Sequence, residues 1–157
     1  VATAALAAAP AVPTAPAMYQ FPKEKVPAYA WPNVPVANIP FDESLLAQGD
    51  AERGRQIYSS NACIGCHMVK GNRMSAGVIG PNLTHFGSRY TFGGGLFRTE
   101  PAVLARWIKN ARAMKPGVLM NTLGKDQYDP VAKMTVTAGG LDDRQIADIV
   151  AYLMALK

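Results

Sequence analysis

The chain has 157 residues, which is enough for one domain with its own core and short for two. Apolar residues make up 49% and charged residues 17%, which excludes a disordered chain and favours a soluble globular protein. The formal charge of +5 favours an anionic partner, although charge alone does not choose among nucleic acid, lipid headgroups and an acidic protein face.

Residues 1–40 differ in composition from the rest of the chain. They hold eight of the twelve prolines together with repeated Ala and Val, a pattern incompatible with a helix or a central strand. We therefore predict an extended, Pro/Ala-rich N-terminal segment over 1–40 and a folded domain over 41–157. Large side chains such as Tyr19 and Trp31 favour a segment that covers the domain surface, and a docking arm for a larger complex is the alternative.

The sequence predicts no membrane span. No run of 18 or more apolar residues is present, because Pro10, Pro13 and Pro16 interrupt the Ala-rich start. That start also lacks an initiator Met and the positive flank of a complete signal peptide. We interpret the chain as already processed, or as the remnant of an anchor.

Three helices are predicted from their end signals and apolar periodicity. Asp50 is the capping residue of the first, which runs from Ala51 to about Asn61. Pro101 lies at a first-turn position of the second, over Glu100 to Ala113, and the third covers Leu141 to Leu156. No alternating pattern predicts a strand, so the predicted fold class is all-α.

The CIGCH motif at residues 63–67 carries the strongest chemical signal in the chain. Two thiols at this spacing bond the two vinyl-derived carbons of a porphyrin, and the adjacent His67 reaches the iron. A redox-active Cys-x-x-Cys is disfavoured because it normally opens the helix of a strand-helix-strand unit, which this sequence lacks. A zinc site needs four ligands, and beyond His67 only His85 is of the right kind. We therefore predict one covalent haem c on Cys63, Cys66 and His67.

The stretch after this motif is consistent with a bound cofactor. Residues 68–98 are rich in glycine and show no helical period, so they are predicted to be a long ordered loop. Such a loop is unusual in a compact domain unless it surrounds something, and a haem explains it.

The motifs around CIGCH carry a family resemblance that covers about residues 48–157. Gly54 and Tyr58 precede the motif, GPNL follows it at 80–83, and AYL lies at 151–153. With these residues the chain resembles a class I cytochrome c. The runs GPNLTHFGSR, GGGLFRTEP and LARWIKNARAMKPGVLM make it similar to the cytochrome c domain fused to subunit II of bacterial haem-copper oxidases, and to stand-alone relatives of that domain.

The resemblance implies a cytochrome c fold of helices wrapped around one haem. It implies that the Pro81 carbonyl accepts the proton of the His67 ring, a bond that fixes the tautomer and raises ligand basicity. It also implies that Arg89 meets a haem propionate. Gly54 and Tyr152 match the close crossing of the first and last helices in the family.

The second axial ligand is sought among seven methionines, because a thioether raises the potential of an electron-transfer haem. The positions of the other methionines relative to the CIGCH motif and the predicted helices leave Met120 and Met134 as candidates. The KPGVLM run that ends at Met120 resembles the family's ligand loop, and Trp107 lies where the family places an aromatic residue beside the ligand. The stretch from Met134 to the last helix also resembles the part of the family sequence that follows its ligand. An insertion of about fourteen residues between these two half-motifs would explain why both resemble the family. Met120 is preferred, and Met134 remains the alternative.

Two further features have a plain structural interpretation. His85 lies four residues after Pro81, on the side that the resemblance makes proximal, so we interpret it as structural. Between Met68 and Lys115 the sequence has many basic residues and a single acidic one, Glu100. We expect these basic residues to form either a solvated face or a docking surface.

Iron held by His and Met is six-coordinate and leaves no position for a substrate, so the predicted function is electron transfer, not catalysis. We expect a carrier at the periplasmic or outer face of the cytoplasmic membrane that passes single electrons in a respiratory chain. Its expected partners are redox proteins with acidic docking faces, namely a terminal oxidase and a quinol-oxidising complex, and not nucleic acid. Association with a membrane complex through the N-terminal segment is a further expectation. A haem enzyme or gas sensor with an open sixth position, and a structural subunit, are the alternatives.

Overall fold

The computed structural model describes residues 21–157. Within that part of the chain the helices are α1 Ala51–Ser59, α2 Cys63–Cys66, α3 Pro101–Met114 and α4 Asp143–Ala155. Two short antiparallel pairs join β1 Thr91–Phe92 to β2 Phe97–Arg98, and β3 Tyr128–Asp129 to β4 Met134–Thr135. Short 3-10 helices cover Lys23–Lys25, Ala28–Ala30, Glu43–Gln48 and Phe86–Ser88. The predicted helical architecture is present, and the prediction that no strand occurs is wrong.

The three predicted helices occur where their end signals place them. The side chain of Asp50 accepts a hydrogen bond from Arg53 N and caps α1. Asp142 and Gln145 form a capping box at the start of α4, which satisfies two backbone N–H groups. Pro101 opens α3, where the N–H that proline lacks would have no helical partner.

Helices α1 and α4 cross in direct backbone contact. A Cβ at Gly54 would lie 1.9 Å from the carbonyl oxygen of Asp148, so only glycine fits at this point. Next to it the rings of Tyr58 and Tyr152 pack with centroids 5.4 Å apart. This is the helix crossing that the family resemblance implied.

Helix α3 changes direction at Asn110, whose φ of −154° and ψ of 79° are not helical. The carbonyl of Lys109 instead accepts a hydrogen bond from Gly124 N at 2.8 Å. The kink therefore attaches the segment between α3 and α4 to the end of α3, and that segment carries the β3–β4 pair.

The described part of the N-terminal segment packs against the domain. Ile39 is 4% exposed and belongs to the hydrophobic core. The Trp31 ring lies 6.1 Å from the Tyr90 ring, and the Arg98 guanidinium lies 4.8 Å from the Trp31 centroid. Tyr29, in contrast, is 91% exposed. The predicted extended conformation of residues 1–20 lies outside the described residues, and the domain boundary at residue 40 stays a prediction.

None of the helices found in residues 21–157 combines the length and hydropathy that a bilayer crossing demands.

Candidate functional site

A cavity of about 710 Å³ lies where α2, the stretch after it, α3 and the segment following α3 meet. Its walls are mainly apolar, and among the described residues the cations that line it are Arg89 and Lys115, with no carboxylate beside them. The apolar wall includes Leu83, Phe86, Phe92, Leu104, Trp107, Ile108, Leu123 and Leu153. Such a cavity suits a large apolar molecule that carries negative groups.

Both cysteines of the CIGCH motif line this cavity. Helix α2 is a single turn, and its three-residue spacing brings Cys63 and Cys66 to the same face. Burial raises the pKa of the Cys63 thiol to about 11. A redox-active Cys-x-x-Cys works through a lowered thiol pKa, so the environment of Cys63 disfavours that alternative.

The ring of His67 is fixed by the residues that follow the motif. Its Nδ1 lies 2.8 Å from the carbonyl oxygen of Pro81. Because a carbonyl only accepts, the ring donates from Nδ1, and in the neutral ring the lone pair is then on Nε2. A Cβ at Gly80 would lie 2.5 Å from His67 Cε1, so glycine is required where the chain passes the ring. Gly80 N also donates to Cys66 O at 2.7 Å, which holds the loop beside the motif.

Arg89 and Trp107 also line the cavity. The guanidinium of Arg89 donates to the backbone carbonyl of Asn82 and lies 5.7 Å from the centroid of the Phe86 ring. Trp107 meets the Phe92 ring edge-on, with centroids 5.6 Å apart. Both residues thus have packing partners of their own at the edge of the site.

Lys115 is a lining residue that the sequence argument did not single out. Its Nζ donates to the carbonyl of Gly93 at 3.0 Å, which ties the end of α3 to the β1–β2 turn. In the sequence Lys115 stands both at the start of the KPGVLM run and at the end of the basic stretch, and neither pattern indicates a cavity-lining cation.

The two methionine candidates occupy different places. Met120 lines the cavity together with the residues before it, 115–119, and with His67 and both cysteines. Met134 lies in β4, is 59% exposed and does not line the cavity. The structure therefore brings Met120, and not Met134, to the same cavity as the CIGCH motif.

His85 lies outside the cavity lining. Its Nδ1 is 2.9 Å from the backbone oxygen of Lys157, so the ring joins the loop after Pro81 to the residues after α4. This contact agrees with the structural interpretation of His85.

Acidic side chains, three of them from outside the run, pair with basic residues between positions 68 and 115. Four of its eight members form ion pairs: Arg98–Glu100, Arg106–Glu43, Lys109–Asp143 and Arg112–Asp129. Lys70 and Arg73 make no ion pair with the described residues. The run is therefore not a continuous free positive face, and its uncompensated charge is smaller than the sequence suggests.

The residues of the cavity fit a haem c. They supply two thiols, an imidazole with a free Nε2, a thioether, an apolar wall and two cations suited to carboxylate groups. Bound there, haem iron supplies one-electron oxidation and reduction, while the protein sets its surroundings.

Comparison with known proteins identifies the class. A family model described as cytochrome c matches residues 51–157. The chain belongs to the cytochrome c family, whose members carry electrons on a haem. Membership implies a covalent haem c and confirms the class I resemblance inferred from the motifs.

The relatives include cytochrome c oxidase subunits 2. The chain is 39% identical over 107 residues to cytochrome c oxidase subunit 2 of Alkalihalophilus pseudofirmus, and 30% identical over 109 residues to that of Bacillus subtilis. Each match covers 68% of this chain and 26% of the relative. The chain thus spans about a quarter of the length of these proteins.

A solved structure confirms the fold. A chain in the crystal structure of SoxXA from P. pantotrophus matches with a TM-score of 0.51 and 27% identity, over 69% of this chain and 82% of that one. The cytochrome c fold predicted from the sequence is therefore present.

Proposed function

We propose that the chain is a monohaem electron carrier whose iron is ligated by His67 and Met120. The observation that supports it is that both side chains line the cavity that holds Cys63 and Cys66, whereas Met134 is exposed on a strand outside it. Two strong axial ligands leave no iron position for a substrate, so the chemistry is outer-sphere electron transfer.

Each remaining site residue has a role in this proposal. Cys63 and Cys66 form the two thioether links, and the Pro81 carbonyl orients His67 and increases its basicity. Arg89 and Lys115 neutralise the haem propionates, since they are the lining cations. Trp107 provides an aromatic wall beside the haem.

The acceptor in this proposal is a terminal oxidase. Support comes from the relatives, which are cytochrome c oxidase subunits 2. The chain then acts in a respiratory chain at the periplasmic or outer face of the cytoplasmic membrane, either free or as a subunit of the complex. The N-terminal segment provides the association with that complex.

The redox partners in this proposal present acidic docking faces to the uncompensated cations of the chain. Lys70 and Arg73 are the candidates, because they have no acidic partner among the described residues. Such attraction acts over a Debye length of about 8 to 10 Å at physiological salt, so electron transfer to the oxidase should slow as salt rises. A second-order rate that does not change from low to high salt would reject this docking mode.

The ligand assignment is tested by a matched pair of variants in the holoprotein. The ferric wild type should show the weak near-infrared band of sulfur-to-iron charge transfer. Met120→Leu should lose the band and lower the reduction potential, because the iron exchanges a soft thioether for water, Lys or His. Met134→Leu is a volume-conserving change at an exposed site and should alter neither property. The reverse pattern would assign Met134 and overturn the proposal.

A further inference from the structure

We propose that Arg112 is a positioning residue that keeps the thioether of Met120 on the iron by holding the segment around it against α3. The proposal rests on the ligation of the iron by His67 and Met120 described above. Arg112 does not line the cavity and acts only through the backbone and side chains on either side of Met120.

The guanidinium of Arg112 contacts both neighbours of Met120. Its Nη2 donates to Asn121 Oδ1 at 3.0 Å and lies 3.4 Å from the carbonyl oxygen of Leu119. Its Nη1 donates to Asp129 Oδ2 at 2.7 Å. One rigid fork of donors thus joins α3, the residues that flank Met120 and the β3–β4 hairpin.

The β3–β4 hairpin fixes the Asp129 carboxylate, which in turn orients the Arg112 guanidinium. Asp129 Oδ1 accepts hydrogen bonds from Val131 N at 2.8 Å and Ala132 N at 2.9 Å, while Oδ2 faces Arg112. The side chains of Arg112 and Asp129 are only 13% and 6% exposed. Removing either partner would leave a buried charge without its counterion, so the pair strongly favours a single geometry.

The kink in α3 holds the chain on the other side of Met120. Asn110 accepts a hydrogen bond from Thr122 Oγ1 at 3.2 Å and donates to Tyr128 O at 3.1 Å. Gly124 N donates to the Lys109 carbonyl that the kink releases, and a Cβ at Gly124 would meet Lys109 Cγ at 2.3 Å. The residues after Met120 are therefore attached to the same two turns of α3 as Arg112.

The residues before Met120 have little support of their own. Gly117 has a φ of +90°, and a Cβ there would meet nothing within 4 Å. Leu119 is 80% exposed, and the Val118 N to Lys115 O hydrogen bond is long, at 3.4 Å. Fixing the Met120 segment therefore depends on contacts from outside it, and the shorter of the two that Arg112 makes with its flanks is the 3.0 Å hydrogen bond to Asn121 Oδ1.

Binding of imidazole to the ferric holoprotein measures this role without any redox partner. Imidazole reaches the iron only when Met120 has left it, so its apparent affinity rises in proportion to the detached fraction. We expect Arg112→Gln to increase imidazole affinity about tenfold or more, equivalent to about 1.4 kcal/mol in the detachment equilibrium. Asn121→Ala removes one flanking contact at an exposed residue and should give a smaller increase with the fold intact.

The matched control is Arg106→Gln. Arg106 lies on the same helix and forms an ion pair with Glu43 at 2.6 Å, away from the residues that flank Met120. This variant should bind imidazole as the wild type does, even where its free energy of unfolding falls. An affinity increase in Arg112→Gln and Asn121→Ala, but not in Arg106→Gln, supports the positioning role.

The outcomes separate this role from the ligand assignment. Wild-type imidazole affinity in both Arg112→Gln and Asn121→Ala, together with a near-infrared band that Met120→Leu abolishes, overturns only the role of Arg112. An equal increase in Arg106→Gln also overturns it, because general destabilisation then explains the effect. A band that survives Met120→Leu overturns the ligand assignment and the positioning role together.

Discussion

Gly54 and Asp148 lie so close that a Cβ on residue 54 would fall 1.9 Å from the Asp148 carbonyl oxygen. This contact sets the distance between α1 and α4. Cys63 follows α1 after a short turn and Leu153 extends from α4, and both line the cavity. The helix crossing therefore fixes two sides of the haem site.

Replacing Gly54 with Ala should destabilise the fold severely. The added methyl group meets backbone atoms that cannot move without separating the helices, so we expect a loss of about 3 kcal/mol or more. Gly65→Ala is the control, since a Cβ there meets nothing within 4 Å. It should not destabilise the fold, because Ala favours the α2 helix over Gly by up to about 1 kcal/mol. Urea unfolding of the two holoproteins measures both effects, and equal losses would contradict the close crossing.

Asp148 should make stability depend on pH in the acid range. Burial alone would raise its pKa, but hydrogen bonds from Arg53 and from Asp50 N outweigh burial and lower the pKa below its usual value. The folded state thus favours the ionised form of Asp148 more strongly than the unfolded chain does. Asp148 therefore contributes fully to the free energy of unfolding at pH values above its pKa in the unfolded chain. That contribution is lost as the pH falls from the unfolded-state pKa to the lower folded-state pKa.

Asp148→Asn is the variant that tests this dependence. At pH 7 it should be about 1 to 3 kcal/mol less stable, because a buried hydrogen-bonded charge is lost. Between pH 5 and pH 3 its free energy of unfolding, measured in urea, should fall less steeply than that of the wild type. Parallel curves for the two proteins would show that Asp148 does not carry the acid sensitivity.

Ile39 should contribute to stability although it precedes the predicted domain boundary. It is 4% exposed and packs in the core, so Ile39→Ala should cost about 2 to 4 kcal/mol. Tyr29→Ala, at a side chain 91% exposed, should cost less than about 0.5 kcal/mol. Urea unfolding measures the free energy of unfolding of both variants and so compares the two losses. If Ile39→Ala is as stable as the wild type, Ile39 does not contribute to the core of the domain.

The helices and the attachment motif were predictable because local chemistry specifies them. Asp50 and Asp142 mark helix starts through short-range hydrogen bonds to residues three positions on. The strands were not predictable, since each has only two residues and no alternation can show over that length. The β1–β2 turn depends on three successive glycines with positive φ, Gly93 to Gly95.

The charge pattern and the choice between methionines depend on distant residues. The partners of Arg106, Lys109 and Arg112 are acids outside the basic run, and a count of charges along the sequence cannot show them. Likewise, the sequence does not reveal that Asn110 kinks α3 and attaches the chain at Gly124. That attachment places Met134 on a separate hairpin, away from the cavity.

Covalent haem attachment is tested most directly by the mass of the purified, denatured holoprotein. Two thioether bonds survive denaturation, so the wild type should have the mass of the chain plus one haem. Cys63→Ala should retain haem through Cys66 alone, and replacing both cysteines should release all of it on denaturation. A denatured wild type with the mass of the bare chain, after purification with haem bound, would contradict a c-type electron carrier.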